Sequence, residues 1–242
     1  KENASKLWKI IQEAGDYLQG KLPHHPNHPK GRNSYAHIAL CIKEAGKLVS
    51  DSIDEVREAV DFCRYYANHV TADSPVGIVA AIGPWNFPAA IFGGQVAAAL
   101  AAGNGVIAKP AYETPIIASL LIEIFHKAGV PKKCLQLVLG GADIGNALVS
   151  EKGIDQVAFT GSTETYRKIR KSMINNHPPG MRIVAEAGGY NSAIVDSTVL
   201  IPRTVSQIMD SAFGSAGQRC SAVRLCAVNE HVFEEFKVAL LG

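Results

Sequence analysis

The five cysteines, Cys41, Cys63, Cys134, Cys220 and Cys226, show no pairing pattern. Their number is odd and no two have Cys-x-x-Cys spacing, which argues against a disulfide framework and a structural zinc site. A reducing compartment, the cytoplasm, is the expected location. An excess of one charge is also lacking. Lys plus Arg is 24 and Asp plus Glu is 22, a formal net charge of +2, so there is no footprint for nucleic acid or an anionic membrane. Long apolar runs are missing too. The stretch from Val76 to Leu100 is broken by Pro84, Asn86, Pro88 and Gln95, well short of the roughly 18 uninterrupted residues of a transmembrane segment. No signal peptide is visible, because Lys1-Glu2-Asn3 leads into no early apolar run. The chain opens without Met, which reads as a piece of something longer. Neither Gly-x-Gly-x-x-Gly nor Gly-x-x-x-x-Gly-Lys-Ser/Thr occurs, and there is no repeat of fixed period.

What is present points to a packed globular chain. Of 242 residues, 47% are hydrophobic and 19% charged, enough for one large domain or one domain plus part of another. Leu7 to Leu18 reads as a helix. Leu22 to Pro29 holds three prolines, so it is a loop. It also holds His24, His25 and His28, which suggest a metal, but a Pro-rich loop lacks the fixed geometry a site needs; no metal is expected. Ser52-Ile53-Asp54-Glu55 has capping-box form with Ser52 as N-cap. Ile53, Val56, Val60, Cys63 and Ala67 then mark one face of an amphipathic helix.

From residue 76 the rhythm changes. Short apolar runs at 76–82, 105–108, 135–139 and 157–159 alternate with helix-length segments at 91–102, 115–128, 144–150 and 163–173. This predicts β-α-β units and a parallel sheet covered on both faces. Arg182 to Ala185 adds a strand. Ser192 to Val195, a helix near Val205 to Phe213, and Val223 to Val228 begin something else. Open α/β sheets bind ligands beyond the carboxyl ends of their strands. Those ends carry Gly83-Pro84-Trp85-Asn86-Phe87-Pro88, Lys109-Pro110, Gly140-Gly141 and Thr160-Gly161-Ser162.

Four of these places carry candidate chemistry, each with a plainer alternative. Thr160-Gly161-Ser162 can present a glycine, a hydroxyl and free helix N–H groups to a phosphate; it is also an ordinary strand-to-helix turn. Cys220, on a polar loop beside Arg219, sits where a thiol can be exposed and activated, or it is a loop cysteine with no role. Glu186, followed by Gly188 and Gly189, suits a general base, or is a solvated turn residue. Asn86, held between two prolines, could aim a fixed amide donor at an oxyanion, or simply form a turn.

Together and in this order, these segments resemble the aldehyde dehydrogenase superfamily. The matching pieces are Pro84-Trp85-Asn86-Phe87-Pro88, Lys109-Pro110, Phe159-Thr160-Gly161-Ser162-Thr163-Glu164, Glu186-x-Gly188-Gly189 and Gly217-Gln218-x-Cys220. Three longer segments, Lys43 to Lys47, Glu55 to Ala67 and Ser211 to Ala222, are similar to the L-glutamate γ-semialdehyde (pyrroline-5-carboxylate) dehydrogenase domain of bifunctional proline utilization A proteins. The resemblance spans Tyr35 to Glu230.

The resemblance implies an α/β fold, a Rossmann-type parallel sheet with helices on both faces, followed by the start of a second α/β catalytic domain. Residues 1–186 would hold the N-terminal helices and the NAD-binding domain, and 187–242 the beginning of the catalytic domain. Cys220 would attack an aldehyde, Asn86 and the Cys220 N–H would hold the oxyanion, and Glu186 would activate water against the thioester. Cofactor contacts to NAD, or to NADP, would come from Ile82, Pro84, Trp85, Lys109, Gly141, Gly145, Thr160, Gly161, Ser162, Ala187 and Gly188, with Lys109 at the adenosine ribose and Ser162 at the pyrophosphate. Phe87 and Ser221 would touch the substrate. The resemblance further implies a small-molecule aldehyde as partner, a homo-oligomer in the full protein, and a proline dehydrogenase domain on the same polypeptide.

Departures from the family pattern are visible. Tyr112, with Glu113 next to it, stands where many members have a ribose-binding Glu, and Gly105 where a proline is common. The segment Gly140 to Gly145 is off the usual Gly-rich form. The family's Glu-x-Phe-Gly-Pro motif would lie beyond Gly242. Purified alone, the 242-residue chain is therefore expected to bind NAD weakly, turn over little aldehyde and associate through exposed apolar faces. Alternatives are a dehydrogenase for another aldehyde, a non-catalytic remnant, and a cysteine hydrolase with His231, on an expected helix, as base.

Overall fold

Five runs of the chain pair into one sheet: β1 (Ile78–Ile82), β2 (Gly105–Lys109), β3 (Leu135–Leu137), β4 (Gln156–Gly161) and β5 (Arg182–Ala187). The computed structural model describes residues 2–21, 32–70 and 75–242. The sheet order is β3-β2-β1-β4-β5, and β1 pairs in parallel with both β2 and β4, as β2 does with β3. Parallel strands buried on both faces must be apolar on both, and β1 shows it. Val79 and Ala81 enter one core, Ala80 and Ile82 the other.

Helices connect the strands and cover those two cores. On the Val79 side lie α4 (Ala90–Ala101) and α5 (Pro115–Lys127), overlaid by α1 (Glu2–Leu18), α2 (Arg32–Ala45) and α3 (Val49–Asn68). On the Ala80 side lie α6 (Ala142–Ser150) and α7 (Thr163–Asn176). The chain runs outward from β1 to β2 and β3, then returns past β1 to β4. The carboxyl ends of β1 and β4 therefore flank a topological switch point. No helix among the described residues is long and apolar enough to cross a membrane.

By contact density the chain divides into Lys1–Glu186 and Ala187–Gly242. The second unit pairs β6 (Asn191–Val195) and β7 (Val223–Val228) in parallel, with α8 (Ile201–Phe213) as the connection and α9 (Phe233–Leu241) after them. Its small core is Val195, Ile201, Ile208 and Phe236. Ile194 is 85% exposed, and Leu225 and Leu241 are exposed as well.

Several local expectations need correction. Ser52 is not an N-cap: α3 begins at Val49 with Leu48 as its cap residue. Ser52 is buried within the first turns and donates its hydroxyl to the Leu48 carbonyl. Its capping-box partner Glu55 is drawn away by distant backbone amides, described below. The buried face of α3 accordingly runs through Ser52, Glu55 and Ala59 as well as Val56, Val60, Cys63 and Ala67, while Ile53 is exposed. His231 lies in a one-turn 3-10 helix, Glu230–Val232, that leads directly into α9. The first third reads as helices, but the bounds of α2 and α9 are not legible in the sequence pattern. The histidine loop at 22–29 lies outside the described residues.

Tight packing around α4 generates a stability prediction. A Cβ on Gly83 would stand 2.7 Å from Cδ2 and 2.8 Å from Cβ of Phe92, a fully buried side chain. Cβ is not the far end of a side chain, so rotation cannot relieve the clash. Gly83→Ala is expected to lose roughly 1–3 kcal/mol in urea unfolding; an unchanged midpoint contradicts this packing.

Candidate active site

The strap between β1 and α4 carries Pro84-Trp85-Asn86-Phe87-Pro88. Ile82, Pro84 and Pro88 are buried, Asn86 and Phe87 half-buried, and Trp85 is exposed. The strap is held from the N-terminal helical layer. Glu55 of α3 accepts from the backbone N–H groups of Ala89 (2.9 Å) and Ala90 (2.8 Å) through Oε1. These are orphan donors of the α4 N-terminus, whose cap residue Ala89 offers no side-chain acceptor. Oε2 of Glu55 receives Lys47 Nζ at 2.5 Å. Lys47 Nζ also donates to the Asn86 carbonyl at 2.9 Å and lies 4.2 Å from the Phe87 ring centroid. Glu44, at the end of α2, does the same for α5: its carboxylate accepts from the N–H groups of Ile116 and Ile117. Two helix N-termini facing the carboxyl edge are thus already occupied by internal carboxylates.

Lys109 ends β2 and is buried, its Nζ donating to the Pro110 carbonyl at 3.1 Å. Burial pushes its pKa down, while the charges of Glu113 and Asp143 pull it back up. Tyr112 is exposed. Gly145, in the first turns of α6, lies against the Lys109 stem: a Cβ there would be 3.4 Å from Lys109 Cε. Gly141 is the cap residue of that helix.

Thr160 and Gly161 close β4, and Ser162 caps α7, its hydroxyl accepting from Thr165 N–H at 3.1 Å. A Cβ on Gly161 would meet Phe159 Cζ at 2.6 Å. That glycine is therefore required by the local ring. Gln95 of α4 spans the switch point. With its amide oriented to satisfy both ends, its oxygen accepts from the Thr160 hydroxyl (2.9 Å) and N–H (3.2 Å). Its NH₂ donates to the Ile82 carbonyl at 3.3 Å. Asn86, Lys109, Gly141 and Thr160–Ser162 thus come to one edge of one sheet, beyond or at its strand ends. Glu186 lies on β5, with its side chain exposed.

Ala187, Gly188, Cys220 and Ser221 belong to the second unit. Cys220 is exposed and so is Ser221. The turn before it is strained: Ser215 and Ala216 both have φ 55°, and Gly217 φ 68°. A left-handed conformation costs a non-glycine residue roughly 1–2 kcal/mol. Asn191, at the start of β6, pins the loop by donating its amide to the carbonyls of Cys220 (2.5 Å) and Ala222 (3.0 Å). Arg224 donates to the Gly217 carbonyl at 2.6 Å.

Lys47, Glu55, Gln95 and Asn191 had no place in the sequence-derived site. Lys47 and Glu55 lie inside segments that carried the resemblance, but nothing in their spacing announced a bond to a strap some forty residues on. Asn191 follows the Glu186–Gly189 motif directly, and its position there is the one hint available.

A model of the aldehyde dehydrogenase family matches residues 32–241. A bifunctional protein PutA of Rhizobium meliloti is 48% identical over 92% of this chain and 18% of its own length. A 1-pyrroline-5-carboxylate dehydrogenase of Bacillus subtilis is 34% identical over 84% of this chain and 44% of its own. Among solved structures, betaine aldehyde dehydrogenase of Staphylococcus aureus in complex with NAD+ superimposes with a TM-score of 0.87 at 26% identity, over 98% of this chain and 48% of that one. The chain thus spans less than half the length of these relatives, and under a fifth of the bifunctional one.

The thiols separate by environment. Burial pushes Cys41 and Cys63 up to about 12 and raises Cys226 as well, whereas Cys220 stands in solvent. Brief iodoacetamide treatment of the folded protein at mildly alkaline pH should label Cys220 and spare Cys41 and Cys63 until denaturant is added. Peptide mapping that finds Cys63 labelled as fast as Cys220 contradicts the assignment.

Proposed function

Because the chain belongs to the aldehyde dehydrogenase family, we propose that it oxidises an aldehyde to a carboxylate with NAD or NADP as hydride acceptor. The proposed aldehyde is L-glutamate γ-semialdehyde and the product glutamate. The B. subtilis relative, a 1-pyrroline-5-carboxylate dehydrogenase by name, supports this substrate, since hydrolytic opening of pyrroline-5-carboxylate gives that semialdehyde. The observation that carries the reading is the convergence of the Asn86 strap, Lys109 and the Thr160–Ser162 turn at the carboxyl edge beside the β1/β4 switch, the place where sheets of this kind take a nucleotide.

The donor set fits a dinucleotide. The α4 and α5 N-termini already hold carboxylates, and α6 opens with Asp143. The α7 N-terminus offers the Ser162 hydroxyl, and its first-turn Glu164 is paired with Lys168 at 2.6 Å, which leaves it the most favourable N-terminus for a pyrophosphate. The buried Lys109 ammonium, with one donor on Pro110, suits a ribose hydroxyl; Glu113 is near enough to act on the same ammonium. A bound nicotinamide would supply the hydride acceptor for the substrate carbon.

The chain's own residues would do the rest. The Cys220 thiolate adds to the carbonyl carbon, and the π pair moves onto oxygen. The Asn86 side-chain amide and the Cys220 backbone N–H donate to that alkoxide. Loss of hydride restores the C=O as a thioester on Sγ. Glu186 takes a proton from water as its oxygen attacks the thioester carbon. The C–S bond breaks, the thiolate returns, and the carboxylic acid product releases its proton. Phe87 and Ser221 are the proposed substrate contacts.

In the same proposal Lys1–Glu186 supplies the cofactor domain and Ala187–Gly242 the first part of the catalytic domain. The full polypeptide carries a proline dehydrogenase domain whose imine product gives the semialdehyde on hydrolysis, forms a homo-oligomer and works in the cytoplasm. The R. meliloti relative, a bifunctional protein of which this chain covers 18%, supports a second activity on the same polypeptide.

The test is NADH formation by the full-length protein with glutamate semialdehyde. Asn86→Ala should lower kcat about 10²–10³-fold, and Cys220→Ala should abolish turnover. Unchanged NADH production by Cys220→Ala refutes the thioester route.

A further inference from the structure

Lys47 and Glu55 form a buried charge pair that none of the steps above uses. Their side chains are 6% and 0% exposed. Two charges withdrawn from water need a full set of partners, and a pair lacking them is destabilising. Here the partners come from the strap that carries Asn86. The Glu55 carboxylate takes the Ala89 and Ala90 N–H groups. The Lys47 ammonium takes the Asn86 carbonyl oxygen and lies against the Phe87 ring. Fixing that oxygen fixes rotation about the Asn86 Cα–C bond. Fixing Ala89 and Ala90 fixes where the strap rejoins α4. Between those two points, with Pro84 and Pro88 on either side, the Asn86 Cα–Cβ direction has little freedom.

We propose that Lys47, held by Glu55, is a positioning residue that preorganises the Asn86 carboxamide for the developing oxyanion. The proposal rests on the reading of Asn86 as the oxyanion donor. Preorganisation is where such donors gain their effect, because a donor that must be reoriented during the reaction loses it. A misplacement of about 1 Å can cost on the order of 10²-fold in rate.

A double-mutant cycle in the full-length protein tests it, with Lys47→Met, Asn86→Ala and the combination. Lys47→Met should lower kcat about 10- to 100-fold and leave NAD affinity within about twofold, since it touches no proposed cofactor contact. In the Asn86→Ala background the same change should cost less than about threefold, because residues acting as one unit are not additive. Equal losses in both backgrounds, or none in the parent, overturn the proposal. An Asn86→Ala enzyme with normal kcat overturns the oxyanion reading itself, and the positioning role with it. Glu44→Gln is the control: it weakens the matching cap on α5, touches no part of the strap, and should lower the melting temperature while kcat stays within about twofold. If Glu44→Gln depresses kcat as Lys47→Met does, loss of stability explains both and the proposal fails. Where Lys47→Met does not accumulate as folded protein, Glu55→Gln, which keeps the shape and one carbonyl for the helix N–H groups, enters the same cycle.

Discussion

A carboxylate removed from water must find its hydration shell in protein, and Glu55 finds it in three donors. Ala89, Ala90 and Lys47 supply them, and the contact joins three parts of the first unit. α3 carries the carboxylate, the start of α4 carries the amides, and the segment after α2 carries the ammonium. Through this carboxylate and its lysine partner the helical layer is tied to the strap bearing Asn86. Glu44 repeats the device one helix along, at α5. Two glutamates from the N-terminal layer therefore do what local N-caps do elsewhere. They also leave the carboxyl edge unequal. The N-termini of α4 and α5 are neutralised, and that of α7, with its serine cap, is the one best suited to an external anion.

That division of labour explains what was legible in the sequence. The strands could be read because β1, β2 and β4 are short, apolar on both faces and separated by helix-length segments. The start of α3 was misread because Ser52 and Glu55 fit a capping box by spacing alone. A local pattern cannot show that Glu55 is needed by backbone amides 34 and 35 residues away. The same limit hid Lys47, 39 residues from the carbonyl it holds, and Asn191, 29 residues before the cysteine loop it pins. Motif residues were visible because their chemistry is carried by type and order. The residues that hold them were not, because a lysine or asparagine acquires meaning only from its partner.

Glycine shows the point from the other side. Gly161 suggested close approach by a phosphate. The fold adds a nearer reason, since the Phe159 ring occupies the space a Cβ would need. Near Cys220 the strain sits on Ser215 and Ala216 instead, residues whose type gave no warning of a left-handed turn. Their cost is borne by a loop tied down at Gly217, Cys220 and Ala222 by Arg224 and Asn191. A strained turn restrained on both sides, ending in an exposed thiol, is an arrangement that favours presentation of the sulfur over stability.

The decisive species in the proposed reaction is a covalent intermediate at Cys220. The most direct measurement is the mass of the Cys220 peptide from full-length Glu186→Gln protein, quenched shortly after mixing with NAD+ and glutamate semialdehyde. If Glu186 is the proposed base, the thioester should accumulate in its absence, and the peptide should carry an added glutamyl acyl group that hydroxylamine removes. An unmodified Cys220 peptide, recovered while NADH is still being produced, would contradict the thioester route and move the nucleophile elsewhere.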